Sequence, residues 1–185
     1  LARHYQIPVY LSAGTLSGMR RPVHPAELLR AGQRLAIRGL EVQVVGVSHD
    51  AREPTQFVLS DGQRRFGMLT DLGMATAEVL ECYRAVDALV VEANHDSTML
   101  AGGPYPYFLK ARVGGSRGHL NNHQSAELVK QLDWGRMQHL VLAHLSEKNN
   151  SPQLARQTFV DTLGCDPGWL QVADQHSGLD WREIA

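Results

Sequence analysis

The sequence predicts an α/β fold in which helices cover a mixed β-sheet. Three observations predict it. Apolar segments at hairpin spacing fill the stretch up to residue 70, and Asp61-Gly62 between two of them is a tight-turn signal. From residue 76 onward strand-like and helix-like segments alternate, as they do when helices connect parallel strands. Four apolar, β-branched runs end abruptly in His or Asp, as buried strands do where a sheet gives way to loops. These runs are Val42–Asp50, Phe66–Asp71, Ala88–Asp96 and Leu140–His144, the last leading into Leu-Ser-Glu-Lys-Asn-Asn.

In chain order, Leu1-Ala-Arg-His-Tyr-Gln reads as the tail of a helix with no cap residue ahead of it. A strand is expected at 7–11, then a short helix capped by Ser12. Residues 20–38 are rich in Arg and Pro, and Pro25 at a favoured first-turn position predicts a helix over 25–31. Strands follow near 41–48, 56–60 and 64–70. A helix is expected over 76–85 and a strand over 87–92. Residues 95–114 read as helix broken by Gly102, Gly103, Pro104 and Pro106. An amphipathic helix runs over 121–132, with Ala126, Val129 and Leu132 on one side. Strand 138–144, helix 152–163, strand 168–174 and a short end segment at 179–184 complete the chain.

At 185 residues a single domain is expected over 1–185. The net charge of −1 gives no global field toward nucleic acid or membrane, so an anionic substrate must find a local patch or a metal. No apolar stretch approaches the roughly 20 residues of a membrane helix, and no signal peptide is visible, so no membrane partner and a cytoplasmic location are expected. Cys82 and Cys165 form no Cys-x-x-Cys pair and read as small buried hydrophobes in a reducing compartment. The sequence leaves oligomeric state open, a homo-oligomer included.

Function-bearing candidates cluster at the strand ends. One polar residue there is an accident of a strand ending. Four suggest loops converging on one site, and imidazole with carboxylate is a usual ligand set for zinc and similar metals. His49, Asp71 and His144 are the candidate ligands, against readings of His49 as a solvated strand end and Asp71 as a turn or cap residue. Asp71 has two oxygens with which to bridge two ions. Glu92 ends a buried strand, where an unpaired carboxylate costs several kcal/mol, so it requires a partner. His119, in a loop with Gly114, Gly115 and Gly118, is the candidate partner. A carboxylate that orients an imidazole makes a proton-transfer unit, unless His119 merely caps the next helix. His95-Asp96 belongs to the same mouth. Lys110, Arg112 and Arg117 supply positive charge beside His119 that can hold a nucleic-acid backbone or simply be solvated. Tyr105 and Tyr107 can stack on bases or merely pack. His4, His24, His123, His139 and His176 lack such a context and read as surface or core histidines.

The order Val-Ser-His49-Asp-Ala, Leu-Thr-Asp71-Leu-Gly, Glu92-Ala-Asn-His95-Asp, Gly-His119-Leu-Asn121-Asn and Leu-Ala-His144-Leu-Ser-Glu-x-Asn-Asn resembles the metallo-β-lactamase-fold hydrolases. The branch it resembles is the WalJ/YycJ type, related to ribonuclease Z and cyclic phosphodiesterases, and the likeness runs from about residue 1 to about 174. It implies an αββα sandwich. It implies metal binding by His49, Asp71 and His144, and a Glu92–His119 pair that protonates a leaving oxygen. It places His95 and Asn121 near the substrate. The implied function is a metal-dependent phosphodiester hydrolase with two divalent ions, zinc or manganese, and a metal-activated hydroxide. The implied substrate is DNA, attacked as a 5′→3′ exonuclease. Small-molecule hydrolysis on the same fold, of a cyclic phosphate or an ester, remains open. The family's central His-x-His-x-Asp-His motif is absent, and the chain opens inside the helix that normally follows it. The expectation is therefore an N-terminally incomplete domain, with its first strands and that motif upstream, impaired metal binding and some exposed apolar surface. If the motif is truly lacking, a non-catalytic binding module is the remaining reading.

Overall fold

The computed structural model describes residues 1–185 apart from 22 and 24, so the expectation for His24 lies outside the described residues. A short helix α1 (Ala2–Tyr5) leads into strand β1 (Val9–Ser12) and helix α2 (Ala13–Gly18), whose first turn is capped by Ser12 Oγ accepting from Thr15 N at 3.2 Å.

The helix expected over 25–31 is not formed; Ala26–Leu29 is strand β2, paired in parallel with β1 from Val9↔Ala26 to Ser12↔Leu29. Pairing and burial of Leu29, at 3% exposure, override the local proline signal. Sequence reading also passed over strand β3 (Arg34–Ile37), which forms a hairpin with β4 (Leu40–Gly46). Its two-residue turn is Arg38-Gly39, at φ 48° and 86°, the primed turn that matches strand twist. A turn with Arg in first place does not announce itself in sequence.

Strands β5 (Thr55–Ser60) and β6 (Arg65–Leu69) form the hairpin around Asp61-Gly62, where Asp61 Oδ1 accepts from Gln63 N and Arg64 N. Next come α3 (Ala77–Cys82), β7 (Ala88–Glu92), α4 (Ser97–Gly102), α5 (Tyr107–Val113) and α6 (Asn122–Gln131). Strand β8 (His139–Ala143), α7 (Pro152–Leu163) and β9 (Leu170–Val172) complete the order.

The mixed α/β architecture is a seven-stranded sheet, ordered β3-β4-β5-β6-β7-β8-β9, beside the two-stranded β1-β2 sheet. Pairing is antiparallel from β3 to β6 and parallel from β6 to β9. On one face Val45, Val58, Leu69, Leu89, Val91, Leu140, Leu142 and Leu170 pack with Val79, Tyr83, Ala126, Val129 and Phe159 of the covering helices. The opposite face carries Phe57, Met68, Val90 and Val141 side by side in register, with Met68 43% exposed. Cys82 and Cys165 are half-buried rather than buried, and Cys82 Sγ receives Gln43 Nε2 at 3.1 Å. No helix among the described residues is long and apolar enough to cross a membrane.

Strand direction builds the site. Strands β6, β7 and β8 run parallel, and β4 runs the same way because both β4 and β6 are antiparallel to β5. Four C-terminal strand ends therefore share one sheet edge, the position where α/β sheets receive ligands.

Candidate metal centre

His49 follows β4, Asp71 follows β6, Glu92 ends β7 and His144 follows β8, so one sheet edge brings the four side chains together. Asp71 Oδ1 lies 3.6 Å from His49 Nε2, 3.7 Å from His144 Nε2 and 3.9 Å from His119 Nδ1. The His119 ring stands between the other two imidazoles, with centroids 5.1 Å from each.

Glu92 is fully buried and holds the group from beneath. Its Oε2 accepts from Asp71 N at 2.9 Å and faces His119 Nδ1 at 3.2 Å and His144 Nδ1 at 3.4 Å. Its Oε1 accepts from Leu120 N at 2.7 Å and Leu72 N at 3.4 Å. Burial alone drives a carboxyl pKa up, but the hydrogen bonds from His119, His144 and Leu120 together outweigh it and hold Glu92 below the usual range. The same contact, against burial and with help from Asp71, raises His144 above an ordinary imidazole.

An ionised Glu92 fixes the tautomers. The Nδ1–H of His119 and of His144 donates to it, and His49 Nδ1–H donates to the Gly118 carbonyl at 3.0 Å. The Nε2 lone pairs of His49 and His144 are thereby left for Asp71's side of the site, the arrangement in which an outer acceptor orients a ligating imidazole. Two ligand atoms on a tetrahedral zinc stand roughly 3.3 Å apart. The 3.6 and 3.7 Å separations are within a few tenths of that, so Asp71 can share an ion with either imidazole. Among the described residues the donor sets lying within 4.8 Å of one another are His49–Asp71–His119 and Glu92–His119–His144, so His49 and His144 do not close on a single ion.

Asp71 and His144 also share a backbone feature, φ of 56° and 57°. This left-handed conformation costs an L residue on the order of 1–2 kcal/mol. Such outliers concentrate where a site's geometry is imposed by its surroundings.

The remaining candidates are placed less simply. His95 is only 3% exposed, its pKa depressed by burial and then by His119. Its carbonyl receives Asn122 N at 2.9 Å, which pins the start of α6. Asn121 is the cap of α6, its Oδ1 accepting from Gln124 N at 2.8 Å in a capping box. Lys110 donates to the Ala101 carbonyl, and Arg112 is ion-paired with Asp50, so two of the three basic residues have internal partners. Arg117 is exposed. Tyr107 is 87% exposed, while Tyr105 is half-buried. His4 and His123 are exposed, His139 Nε2 meets the Glu183 carbonyl at 2.8 Å, and His176 lies 3.9 Å from Glu147.

Asp50 was missed. Its Oδ1 lies 3.5 Å from His49 Nε2 while its other oxygen binds Arg112, whose hydrogen bond holds the carboxyl below its usual range. The signal was adjacency to His49; the Arg112 partner, 62 residues away, was invisible. Asn122 and Asn150 are likewise structural, bonded to each other at 2.8 and 2.9 Å and, through Asn150, to the Ala93 carbonyl.

Two grooves flank the centre, with a third, of about 410 Å³, beside His144. One, of about 690 Å³, is lined by His49 and Asp71 and by α2. The other, of about 420 Å³, is lined by His119, His144, Tyr105 and Lys148.

Comparison with known proteins agrees with this geometry. The profile of the "Beta-lactamase superfamily domain" matches residues 1–145. The chain is 32% identical over 168 residues to exodeoxyribonuclease YycJ of Bacillus anthracis, covering 88% of this chain and 64% of that protein. It is 29% identical over 189 residues to exodeoxyribonuclease WalJ of Streptococcus pneumoniae serotype 2, covering 98% of this chain and 68% of the relative. The chain thus spans about two thirds of the length of these relatives. Among solved structures, the metallo-β-lactamase-fold protein YhfI of Bacillus subtilis superposes with a TM-score of 0.67 at 16% identity, over 94% of this chain and 64% of that one. With an edge-of-sheet His/Asp site and a family profile covering residues 1–145, the chain belongs to the beta-lactamase superfamily domain family, with the metallo-β-lactamase fold.

Proposed function

We propose that the protein is a metal-dependent phosphodiester hydrolase and, within that class, a DNA exonuclease. The observation that carries the first part is the convergence of His49 Nε2 and His144 Nε2 on Asp71 Oδ1 while acceptors hold both Nδ1 atoms. The names of the relatives, both exodeoxyribonucleases, support DNA as substrate and an exonucleolytic mode.

His49, Asp71 and His144 would hold two divalent ions, zinc or manganese by donor type. A bound ion supplies Lewis-acid stabilisation of charge on a phosphoryl oxygen and acidifies water toward neutrality. Glu92 accepts from His144 Nδ1–H and so turns the Nε2 edge of the ring toward Asp71. His119, whose Nδ1 is held by the same carboxylate, has no protein partner at Nε2 among the described residues. With the ring in its protonated form, that nitrogen would deliver a proton to the departing oxygen. Arg117 adds an exposed positive charge on the loop that carries His119, for the phosphate backbone.

The test is elemental analysis of the full protein together with cleavage of end-labelled single- and double-stranded DNA. His144→Ala is expected to lose both bound metal and cleavage. His119→Ala is expected to keep the metal and lose roughly 10²–10⁴ in rate. A His144→Ala variant that retains metal and activity removes this residue from the ligand set. Absence of divalent metal from active protein overturns the mechanism.

A further inference from the structure

We propose that the groove on the His119 side is a subsite for the nucleotide adjoining the scissile phosphate, with Tyr105 stacking on its base and Lys148 pairing with its next phosphate. This rests on the phosphodiester reading above and deepens it.

The two grooves are unequal in what they offer. Both reach the centre, one through His49 and Asp71 and the other through His119 and His144. A small ester needs neither groove; a chain crossing the site needs both. In the larger groove Arg52 is tied to Ser17 Oγ at 3.0 Å, and Glu53 accepts Gly14 N at 2.7 Å. In the His119 groove Lys148 is exposed and has no ion-pair or hydrogen-bond partner among the described residues. The neighbouring carboxylate, Glu147, is 3.9 Å from His176 and both are solvent-facing, so it is not paired with Lys148.

Tyr105 supplies the aromatic wall of the same groove, and Gln175 and Ser146 supply polar edges. A ring for a base and a free ammonium for a phosphate are the two elements of single-strand recognition. The volume of about 420 Å³ lies within the 300–1,000 Å³ typical of small-ligand pockets and suits a single nucleotide rather than a duplex. Because His119 opens into this groove and His49 into the other, the nucleotide held here is on the side that receives the proton, which makes it the leaving side.

The test compares two substrates in the full protein: a single-stranded oligonucleotide, and bis(p-nitrophenyl) phosphate, which has no second phosphate. Lys148→Ala is expected to lower kcat/KM for the oligonucleotide about tenfold more than for the small diester. Tyr105→Ala should do likewise on the oligonucleotide, with Tyr105→Phe restoring the loss because the ring is kept. On a substrate lacking the base at that position, Tyr105→Ala should have no differential effect. A second readout needs no catalysis: in chelator-treated protein, Lys148→Ala should reduce the salt-dependence slope of oligonucleotide binding by about 0.7, the value for one phosphate contact on a single strand. Equal effects on both substrates, or an unchanged slope, overturn the subsite. If the wild-type protein cleaves neither substrate, the phosphodiesterase reading fails, and the binding slope alone decides whether this groove holds nucleic acid.

Discussion

A single buried carboxylate organises the centre. Glu92, itself with no exposure to water, accepts from three backbone amides and faces two imidazoles. An uncompensated buried carboxylate is expensive, so its sequence position demanded a partner. One partner, His119, was legible; the second, His144, lies 52 residues away and could not be seen. Replacing the carboxylate with an amide turns one acceptor into a donor facing other donors. Glu92→Gln is expected to cost about 2–3 kcal/mol of stability, measured by urea unfolding. It should also weaken metal binding by roughly 10–100-fold, the usual effect of losing an outer-shell acceptor. A variant with wild-type stability and metal affinity would show that the imidazoles are held by packing alone.

At the scale of the element, the loop from α5 to α6 is what seats His119. Its backbone is pinned on several sides: Ser48 Oγ donates to the Ser116 carbonyl at 2.8 Å, and His49 meets the Gly118 carbonyl. Gly73 packs so closely that an added Cβ would lie 2.4 Å from Ser116 C. At Gly118 a Cβ would fall 2.1 Å from the Arg112 carbonyl oxygen and 2.3 Å from that of Val113. Glycine at both positions allows this close approach of backbone to backbone. Gly118→Ala is expected to displace His119 and cut turnover by about 10²-fold, the scale of a 1 Å misplacement. Metal content, read by elemental analysis, should fall much less. Near-normal turnover would mean the loop relaxes without moving the ring.

On the scale of the whole molecule, the seven-stranded sheet has two unlike faces. Leu69 points into the helix-covered core at 0% exposure, whereas its neighbour Met68 points to the other face at 43%. Leu69→Ala is therefore expected to destabilise by about 2–5 kcal/mol, while Met68→Lys should stay within about 0.5 kcal/mol, as an exposed substitution does. Thermal unfolding of the two variants side by side checks this. A large loss at Met68 would show that something covers this face in the working protein.

Sequence alone determined the class of fold, the strand ends and the residue types gathered there, because each depends on local periodicity and on where an apolar run stops. It misread Ala26–Leu29, whose parallel pairing with β1 outweighs the propensity of its own residues. It could not show that Lys110 and Arg112 find partners at Ala101 and Asp50, which no spacing announces. Only the tertiary structure decided which nitrogen of each imidazole faces Asp71, and how deeply His95 is buried. The physical reason is reach. Periodicity describes one strand at a time, whereas tautomer, burial and ion pairing are set by groups that adjacent strands deliver from dozens of residues away.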